Sequence, residues 1–147
     1  MPWSLIRSMV FRCLLLLALS LPTGCGTRYP ELIPVTGVIQ VNGDPLKDAT
    51  VVFQPEEGWA SQGRTGVDGR FRLVYRGRVP GAVPGKHTVR ISTQIERDAD
   101  SDDPVRQQGR PESLPAIYNS ASTLTADVVS GQDDDIVFNL DVSKKAR

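Results

Sequence analysis

Histidine, cysteine and aromatic residues are scarce in this chain, and each scarcity excludes a class of site. Among 147 residues there are one histidine, His87, and two cysteines, Cys13 and Cys25, and aromatic residues make up 6%. His87 has no second histidine, no thiol and no evident nucleophile to act with, so the positioned groups that acid–base catalysis needs are not indicated. The positions of the cysteines do not favour a disulfide. We expect no catalytic, metal or cofactor site.

The chain also lacks net charge, because 17 basic residues balance 17 acidic ones. No basic patch marks a nucleic-acid surface, so nucleic acid is not expected as a partner. The length allows one domain of ordinary size. Hydrophobic residues, at 39%, suffice for one core, and 13 glycines with 11 prolines favour a fold with many turns over a helical bundle.

Residues 1–24 have the parts of a lipoprotein signal peptide. Arg7 and Arg12 give a positive start, and the apolar run CLLLLALSL at residues 13–21 is too short to anchor in a bilayer. Removing this segment leaves 15 basic against 17 acidic residues, so the mature chain would have a net charge of −2.

Cys25 is the predicted lipid attachment site. Thr23 and Gly24 precede it, and small residues directly before a cysteine at this place resemble a bacterial lipobox. In a lipobox the peptide is cut before the cysteine, whose thiol carries diacylglycerol. Pro22, where leucine is usual, departs from that pattern. The alternatives are an ordinary secretory signal that ends nearby and a buried cysteine.

The rest of the chain divides into a tether, one domain and a tail. Residues 25–34 contain two prolines without periodicity and predict a lipidated, extended tether. Residues 35–142 form the predicted domain, in which residues 95–121 are a long loop with an acidic start. Residues 143–147 (SKKAR) form a basic tail.

Short runs with β character, separated by turn signals, predict an all-β fold. Asn42-Gly43, a dipeptide strongly biased to tight turns, lies between runs at 35–41 and 49–54, and we expect these to pair as a hairpin. The other predicted strands are residues 62–65, 70–75, 87–93, 123–129 and 136–142. Asp68-Gly69 predicts a second hairpin, between the first two of these. The count is about seven strands.

Alternation of apolar and polar residues gives each strand an inward face. Phe53, Phe71 and Phe138 come from three strands and are predicted to meet in one apolar layer between two sheets. His87 begins an inward row, so we expect it to pack in the core. The residues assigned outward include Thr50, Arg72 and Asn139.

Four arginines surround the predicted strand at 70–75. They are Arg70, Arg72, Arg76 and Arg78. We interpret them as a charged solvent face rather than a patch for anionic polysaccharide or lipid headgroups, because such patterns usually serve solubility and protect sheet edges.

Three motifs within residues 34–140 carry a resemblance. They are G-x-I-x-V-x-G-x-P-L-x-x-A-x-V-x-F at 37–53, T-x-x-D-G-x-F at 65–71, and GKHTVRI at 85–91. Their order and spacing resemble a carboxypeptidase regulatory-like domain, whose third motif is G-x-Y-x-V-x-V, so His87 takes an aromatic position. Residues 114–119 and the two strands after them look like a variant found in small bacterial surface lipoproteins. The resemblance implies a single antiparallel, prealbumin-like β-sandwich and leaves the activity open, because such folds host unrelated functions.

The loop at 95–121 is the longest stretch without strand pattern, and loops of this length are usually functional or disordered. Asp98, Asp100 and Asp102 imitate the first ligands of a calcium loop, but the later turn glycine and bidentate glutamate are missing. We expect a mobile acidic insert without a specific metal site, with weak surface calcium binding as the alternative. The apolar segment at 114–118 should lie rigidly across the sandwich.

These features predict a non-enzymatic, lipid-anchored β-sandwich of a bacterial cell envelope, at the outer membrane or the cell surface. We expect a binding or structural module that contacts the membrane through the lipid on Cys25 and an unidentified envelope protein or polysaccharide.

Two alternatives remain open. A transthyretin-like hydrolase shares the broad fold, but that family ends in Tyr-Arg-Gly-Ser and uses more than one histidine, whereas the similar residues 75–78 (YRGR) lie mid-chain here. A carbohydrate-binding surface module would need several aromatic side chains on one exposed face. The available ones are Tyr29, Trp59 and Tyr118.

Overall fold

Ten β-strands supply most of the secondary structure in the computed structural model, which describes residues 29–131 and 135–142. They are β1 (Thr36–Val41), β2 (Asp44–Pro45), β3 (Thr50–Pro55), β4 (Ser61–Arg64), β5 (Arg70–Arg72), β6 (Val74–Tyr75), β7 (Val79–Pro80), β8 (Gly85–Ser92), β9 (Thr125–Val128) and β10 (Ile136–Leu140). A short helix, α1 (Pro104–Gln108), and a 3₁₀ turn at Ala116–Tyr118 lie between β8 and β9.

The strands form two sheets that pack on a shared core. The first sheet has the order β10-β1-β2, with β5 also paired to β1. The second sheet has six strands in the order β7-β6-β4-β3-β8-β9. Apolar side chains from both sheets belong to one buried cluster. The described chain is therefore all-β and sandwich-like, as the sequence predicts.

Phe53 occupies the centre of this core. Its ring centroid lies 6.1 Å from that of Phe71 and 6.2 Å from that of Phe138. Phe53 is fully buried and the other two are at most 8% exposed, so the prediction of one phenylalanine layer is confirmed. A Cβ at Gly37 would collide with the Phe71 ring and with the backbone of β10, so β1 requires glycine at this point.

The predicted alternation of faces holds in the central strands. His87, Val89 and Ile91 are buried along β8. The three residues assigned outward are exposed, namely Thr50, Arg72 and Asn139. Alternation therefore identified the core side of each strand correctly.

The first hairpin differs from the prediction. Its tight turn does lie at Asn42-Gly43, with φ angles of 51° and 94°, but β1 pairs there with the short strand β2 and not with β3. The Leu46 N–H still donates to the Ile39 carbonyl at 2.9 Å, but the Ile39 N–H donates to the Gly69 carbonyl instead of returning to Leu46. The β1–β2 ladder ends there, and Asp48, with a left-handed φ of 56°, turns the chain away. As a result β3 enters the second sheet, and the predicted pairing of 35–41 with 49–54 is wrong.

The second predicted hairpin, around Asp68-Gly69, is divided between the sheets. β4 pairs with β6 in the second sheet, whereas β5 pairs with β1 in the first. Buried Leu73 makes the crossing, because its N–H donates to Val35 at 3.0 Å and its carbonyl accepts from Gly81 at 2.9 Å. Every second side chain stays buried from β5 through Leu73 to β6, so the sequence pattern alone predicts a single strand.

One strand pair, β1 with β10, is parallel. Thr36, at the start of β1, donates its hydroxyl to the Asp135 carboxylate at 2.6 Å, and Arg70 binds the other carboxylate oxygen. These contacts hold the start of β10 beside the start of β1, so both strands run the same way. The prediction of a purely antiparallel sandwich is wrong for this pair.

The loop at 95–121 contains more structure than expected. Ile95 and Arg110 close its first part at the base, with N–H to carbonyl distances of 2.9 and 2.8 Å. Within it, the Asp103 side chain caps α1 by accepting from the N–H of Val105 at 2.9 Å. The helix follows the acidic residues 96–103, which contain no strand or helix, and the mobility expected of those residues stays a prediction.

The later part of that loop packs on the core, as predicted for residues 114–118. Leu114 and Tyr118 are buried with the core cluster. The Tyr118 hydroxyl donates to the carbonyl of Asp141 at 3.0 Å and accepts from its N–H at 2.9 Å. Tyr118 thus attaches the loop to the chain just after β10.

The start of the described chain also packs on the domain. Ile33 is buried and exchanges two backbone hydrogen bonds with Ala82, at 2.8 and 2.9 Å. The Tyr29 ring meets the Tyr75 ring edge-on, with centroids 6.4 Å apart. Residues 29–34, which the sequence analysis assigned to the tether, therefore contact the sandwich.

Truncation of Phe71 tests the core assignment. We expect Phe71→Ala to cost about 3 to 5 kcal/mol of the free energy of unfolding, as is typical for a buried phenylalanine. The adjacent Arg72→Ala should change it by no more than about 0.5 kcal/mol, because Arg72 is exposed. Thermal and denaturant unfolding measure both. Equal losses for the two variants would contradict the assigned faces of β5.

Candidate functional site

An open groove on the outer face of the second sheet, with a volume of about 650 Å³, is the clearest candidate site. In its floor Thr50 of β3 lies opposite Ser92 of β8, and Val52 lies opposite Arg90. The alternation that turns Phe53 inward turns these four residues outward, so the floor follows directly from strand pairing. Side chains from residues 112–120 form its wall. We call this the outer groove.

Arg110 fixes the base of the segment that forms this wall. Its Nε donates to the Thr93 carbonyl at 2.7 Å, and its Nη2 donates to the Asp48 carbonyl at 2.7 Å. One side chain therefore joins the loop to the end of β8 and to the approach to β3.

Glu112 lies at the edge of the outer groove, and both of its carboxylate oxygens accept hydrogen bonds. The donors are the hydroxyls of Ser92 and Thr93 and the backbone N–H groups of Thr93, Ser113 and Leu114. The Ser92 oxygen lies at 2.6 Å and the Leu114 nitrogen at 2.9 Å. All of these donors are neutral, so the carboxylate is held by hydrogen bonds rather than by a cation.

These hydrogen bonds set the pKa of Glu112. Partial burial raises the pKa, but the bonds from Ser92, Thr93 and Leu114 together outweigh it and lower the pKa from 4.5 to about 2. Glu112 is therefore ionised at neutral pH with its lone pairs occupied. It is poorly suited to give or take a proton there.

Past Gln94 the outer groove continues into a second hollow of about 470 Å³. Charged residues of both signs line it, namely Arg64, Arg97, Arg106, Glu96 and Asp98. Arg64 pairs with Asp48 at 3.3 Å. The side chain of Arg90, in the floor of the outer groove, forms no hydrogen bond or ion pair with another described residue. Its guanidinium is thus available to a ligand.

His87 is buried in the core, as the sequence predicts, with 1% of its surface exposed. Its Nε2 lies 2.9 Å from the carbonyl oxygen of Val83, and its Nδ1 finds no hydrogen-bond partner among the described residues. The ring lies against Phe53, with centroids 5.8 Å apart. It is therefore on the opposite side of the second sheet from Glu112 and cannot act with it.

One of the aspartates that imitate a calcium loop has a local structural contact, because the Asp98 side chain accepts from the N–H of Asp100 at 3.2 Å. The neighbouring Asp103 caps α1. Within the part of the chain that the structure describes, no three or more His, Cys, Asp or Glu side chains are grouped so that they could hold a metal ion.

The four arginines around residues 70–75 are exposed, as predicted, but they are divided between two places. Arg70 and Arg72 lie on β5 in the first sheet, and Arg76 and Arg78 flank the turn between β6 and β7. The Arg76 guanidinium lies over the Trp59 ring, 4.7 Å from its centroid. The four arginines are close in sequence but therefore belong to two separate surfaces.

The three aromatic residues considered for carbohydrate binding do not share an exposed face. Trp59 is 62% exposed, whereas Tyr118 is buried with the core. Tyr29 packs against Tyr75. A flat aromatic platform of the expected kind is not formed by these residues.

Cys25 lies outside the described residues, as does the rest of residues 1–28 and the tail at 143–147. The signal peptide at 1–24 and the lipid attachment therefore stay predictions from sequence. Across residues 29–131 and 135–142, the structure contains no helix with the length and apolar character needed to span a bilayer.

No protein-family model, curated protein or solved structure matches this chain. The resemblance to a carboxypeptidase regulatory-like domain therefore still depends on the three sequence motifs. The two-sheet, all-β architecture is a direct observation and does not depend on it.

Glu112 and Arg110 are the functional-site residues that sequence reasoning missed. Their partners are distant in sequence, since Arg110 reaches the carbonyl of Asp48, 62 positions earlier. The one available signal was their place directly before the apolar segment at 114–118, where the loop has to be attached to the domain.

Replacing Glu112 with glutamine tests its role in attaching the wall. We expect Glu112→Gln to lower the free energy of unfolding at neutral pH by about 2 kcal/mol, because a hydrogen bond to a charged acceptor contributes about 1.5 to 3 kcal/mol. Folding lowers the pKa of Glu112 from 4.5 to about 2, so its stabilising effect is present above pH 4.5 and is lost as the pH falls towards 2. Thermal unfolding of the two proteins should converge over that range.

The matched control is Glu96→Gln, an exposed glutamate on the same loop, which should change little at any pH. A Glu112→Gln defect that stays constant from neutral to acid pH would show that the charge of Glu112 has no stabilising role.

Proposed function

We propose that this protein is a non-catalytic binding module that a lipid on Cys25 anchors in a bacterial cell envelope, at the outer membrane or the cell surface. The domain would be a prealbumin-like β-sandwich of the carboxypeptidase regulatory-like kind, preceded by a signal peptide at 1–24. The three motifs and the two-sheet architecture support this assignment.

The hydrogen-bonded state of Glu112 carries the non-catalytic part of the proposal. A general acid or base has to change protonation near the working pH. Glu112, at the edge of the outer groove, has a pKa of about 2 and accepts bonds on both oxygens. The sole histidine faces the core against Phe53, so a transthyretin-like hydrolase with several histidines at one site is less well supported.

The outer groove supports a binding role. Its floor offers the guanidinium of Arg90, the hydroxyl of Thr50 and the apolar surface of Val52, and Gln94 adds an amide at one end. This mixture suits an extended polar chain, such as a polysaccharide or a protein segment, which needs both hydrogen bonds and apolar contact. The proposed partners are therefore an envelope protein or polysaccharide, besides the membrane itself.

Replacing Cys25 with serine tests the anchor. We expect Cys25→Ser to yield no processed, membrane-bound protein and to accumulate as a precursor that retains residues 1–24. The reason is that the Cys25 thiol is the proposed acceptor for the lipid. Each buried acyl methylene contributes about 0.8 kcal/mol, and two chains make anchoring stable. Membrane fractionation and intact mass measure both effects.

Cys13→Ser is the matched control, since Cys13 lies in the segment that would be removed, and it should be processed normally. Complete membrane partition of Cys25→Ser without any precursor would disprove lipid attachment at this residue.

Site-specific photo-crosslinking in intact membranes tests the outer groove. A photoreactive residue in place of Val52, in the groove floor, should form adducts with the bound partner. The same residue in place of Val137, which is 55% exposed on the first sheet, is the control and should not form them. Identical adducts from both positions, or none from Val52, would exclude the outer groove as the binding surface.

A further inference from the structure

Trp59 is the one aromatic side chain that remains largely exposed among the described residues, at 62%. The guanidinium of Arg76 lies over its ring, 4.7 Å from the centroid. A cation stacked on one face of an indole is attracted to the ring, and most of the Trp59 side chain still stays exposed. The result is an aromatic surface held outward beside a positive charge.

Arg76 itself has an unusual backbone for its residue type. Its φ of 52° lies in the left-handed region, which the described non-glycine residues otherwise enter only at Asn42 and Asp48. Asparagine and aspartate tolerate that region far better than arginine does. The turn closes with the Arg78 N–H donating to the Tyr75 carbonyl at 3.0 Å, and both arginines are exposed. A two-residue hairpin turn of this kind needs a positive φ at both central positions, and here it presents a long cation to solvent at its tip.

This surface adjoins the end of the chain that leads to the proposed lipid. Tyr75, directly before Arg76, contacts the ring of Tyr29 at 6.4 Å. Cys25 is four residues before Tyr29, and four residues of fully extended chain span at most about 14 Å. A lipid on Cys25 would therefore hold a bilayer within reach of Trp59 and Arg76.

We propose that Trp59, Arg76 and Arg78 form a membrane-contact face that rests in the phospholipid headgroup layer. The proposal depends on the lipid anchor at Cys25. Tryptophan favours the membrane interface, where one end of its ring system is apolar and the other is hydrated. Arginine donates paired N–H bonds to phosphate oxygens.

Two acidic residues near Trp59 bear on which feature of the lipid the membrane-contact face binds. Glu56 and Glu57 are exposed on the same connection as Trp59, so they offset the charges of Arg76 and Arg78. A net attraction to an anionic surface is therefore not the driving force. Phosphate groups, which every phospholipid carries, together with the interfacial preference of Trp59 account for the contact.

The fluorescence of Trp59 tests the contact in the intact, lipidated protein. Trp3 belongs to the signal peptide, so Trp59 would be the sole tryptophan of the processed chain. The protein is reconstituted into phosphatidylethanolamine–phosphatidylglycerol vesicles, with and without bromine atoms on the upper acyl chain. We expect a blue-shifted emission that brominated lipid quenches and aqueous acrylamide quenches weakly. A Trp59→Phe variant should lose this signal.

Charge variants distinguish the contact from a passive consequence of anchoring. Arg76→Ala with Arg78→Ala should reduce quenching by brominated lipid, whereas Arg72→Ala, an exposed arginine on the first sheet, should not. Glu56→Gln with Glu57→Gln should increase it, because two charges that phosphate repels are removed.

Flotation of the vesicles separates failure of this contact from failure of the anchor. Protein that floats with the vesicles, while Trp59 is quenched by acrylamide and not by brominated lipid, would overturn the membrane-contact face and leave the anchor intact. Protein that does not float at all would overturn the anchor, and the contact with it.

Discussion

Contact between Phe53 and the aromatic residues around it is the constraint on which the rest of the fold depends. Phe53 belongs to the second sheet, and its ring meets Phe71 and Phe138 from the first sheet as well as His87 from β8. Such a cluster holds two sheets at a fixed separation, because dense packing leaves no room for them to slide. Gly37 is glycine for this reason, since β1 passes directly against Phe71 and β10.

The polar residues outside this core mainly attach the long loop between β8 and β9. Arg110 joins its base to the backbone near Thr93 and Asp48, and Glu112 collects donors from β8 and from its own segment. The Glu112 carboxylate therefore has a structural role as a hydrogen-bond acceptor. The same contacts position residues 112–120, which form the wall of the outer groove. The groove therefore exists only when the loop is attached to the sheet.

The two proposed surfaces have different origins in this architecture. The outer groove arises from the outward faces of β3 and β8, which are rigid because both strands are central in the second sheet. The membrane-contact face arises from turns, where Trp59 and Arg76 meet near the start of the described chain at Tyr29. A domain that rests on the membrane through these turns would leave the outer groove, which is built on strands, open to a partner.

Local patterns in the sequence determined which residues face inward and where the chain turns. Period-two alternation placed Phe53, Phe71 and Phe138 correctly in the core, and Asn42-Gly43 marked a true turn. These features depend on neighbouring residues, so a single sequence is enough to read them. The apolar run at 114–118 was identified in the same way.

Only the tertiary structure decided which strands pair. Alternation is unchanged when a strand crosses between sheets at Leu73, or when the chain turns at Asp48 and β3 enters the other sheet. The pattern therefore carried no information on either crossing. The parallel pairing of β10 with β1 joins residues that are about 99 positions apart, as does the contact of Asp135 with Thr36 at its start. Glu112 is similar, because the donors that lower its pKa include Ser92 and Thr93, about 20 positions away, besides the nearby Leu114. The candidate site could therefore not be predicted from the sequence, since it consists of contacts that exist only once the loop after β8 has packed on the second sheet.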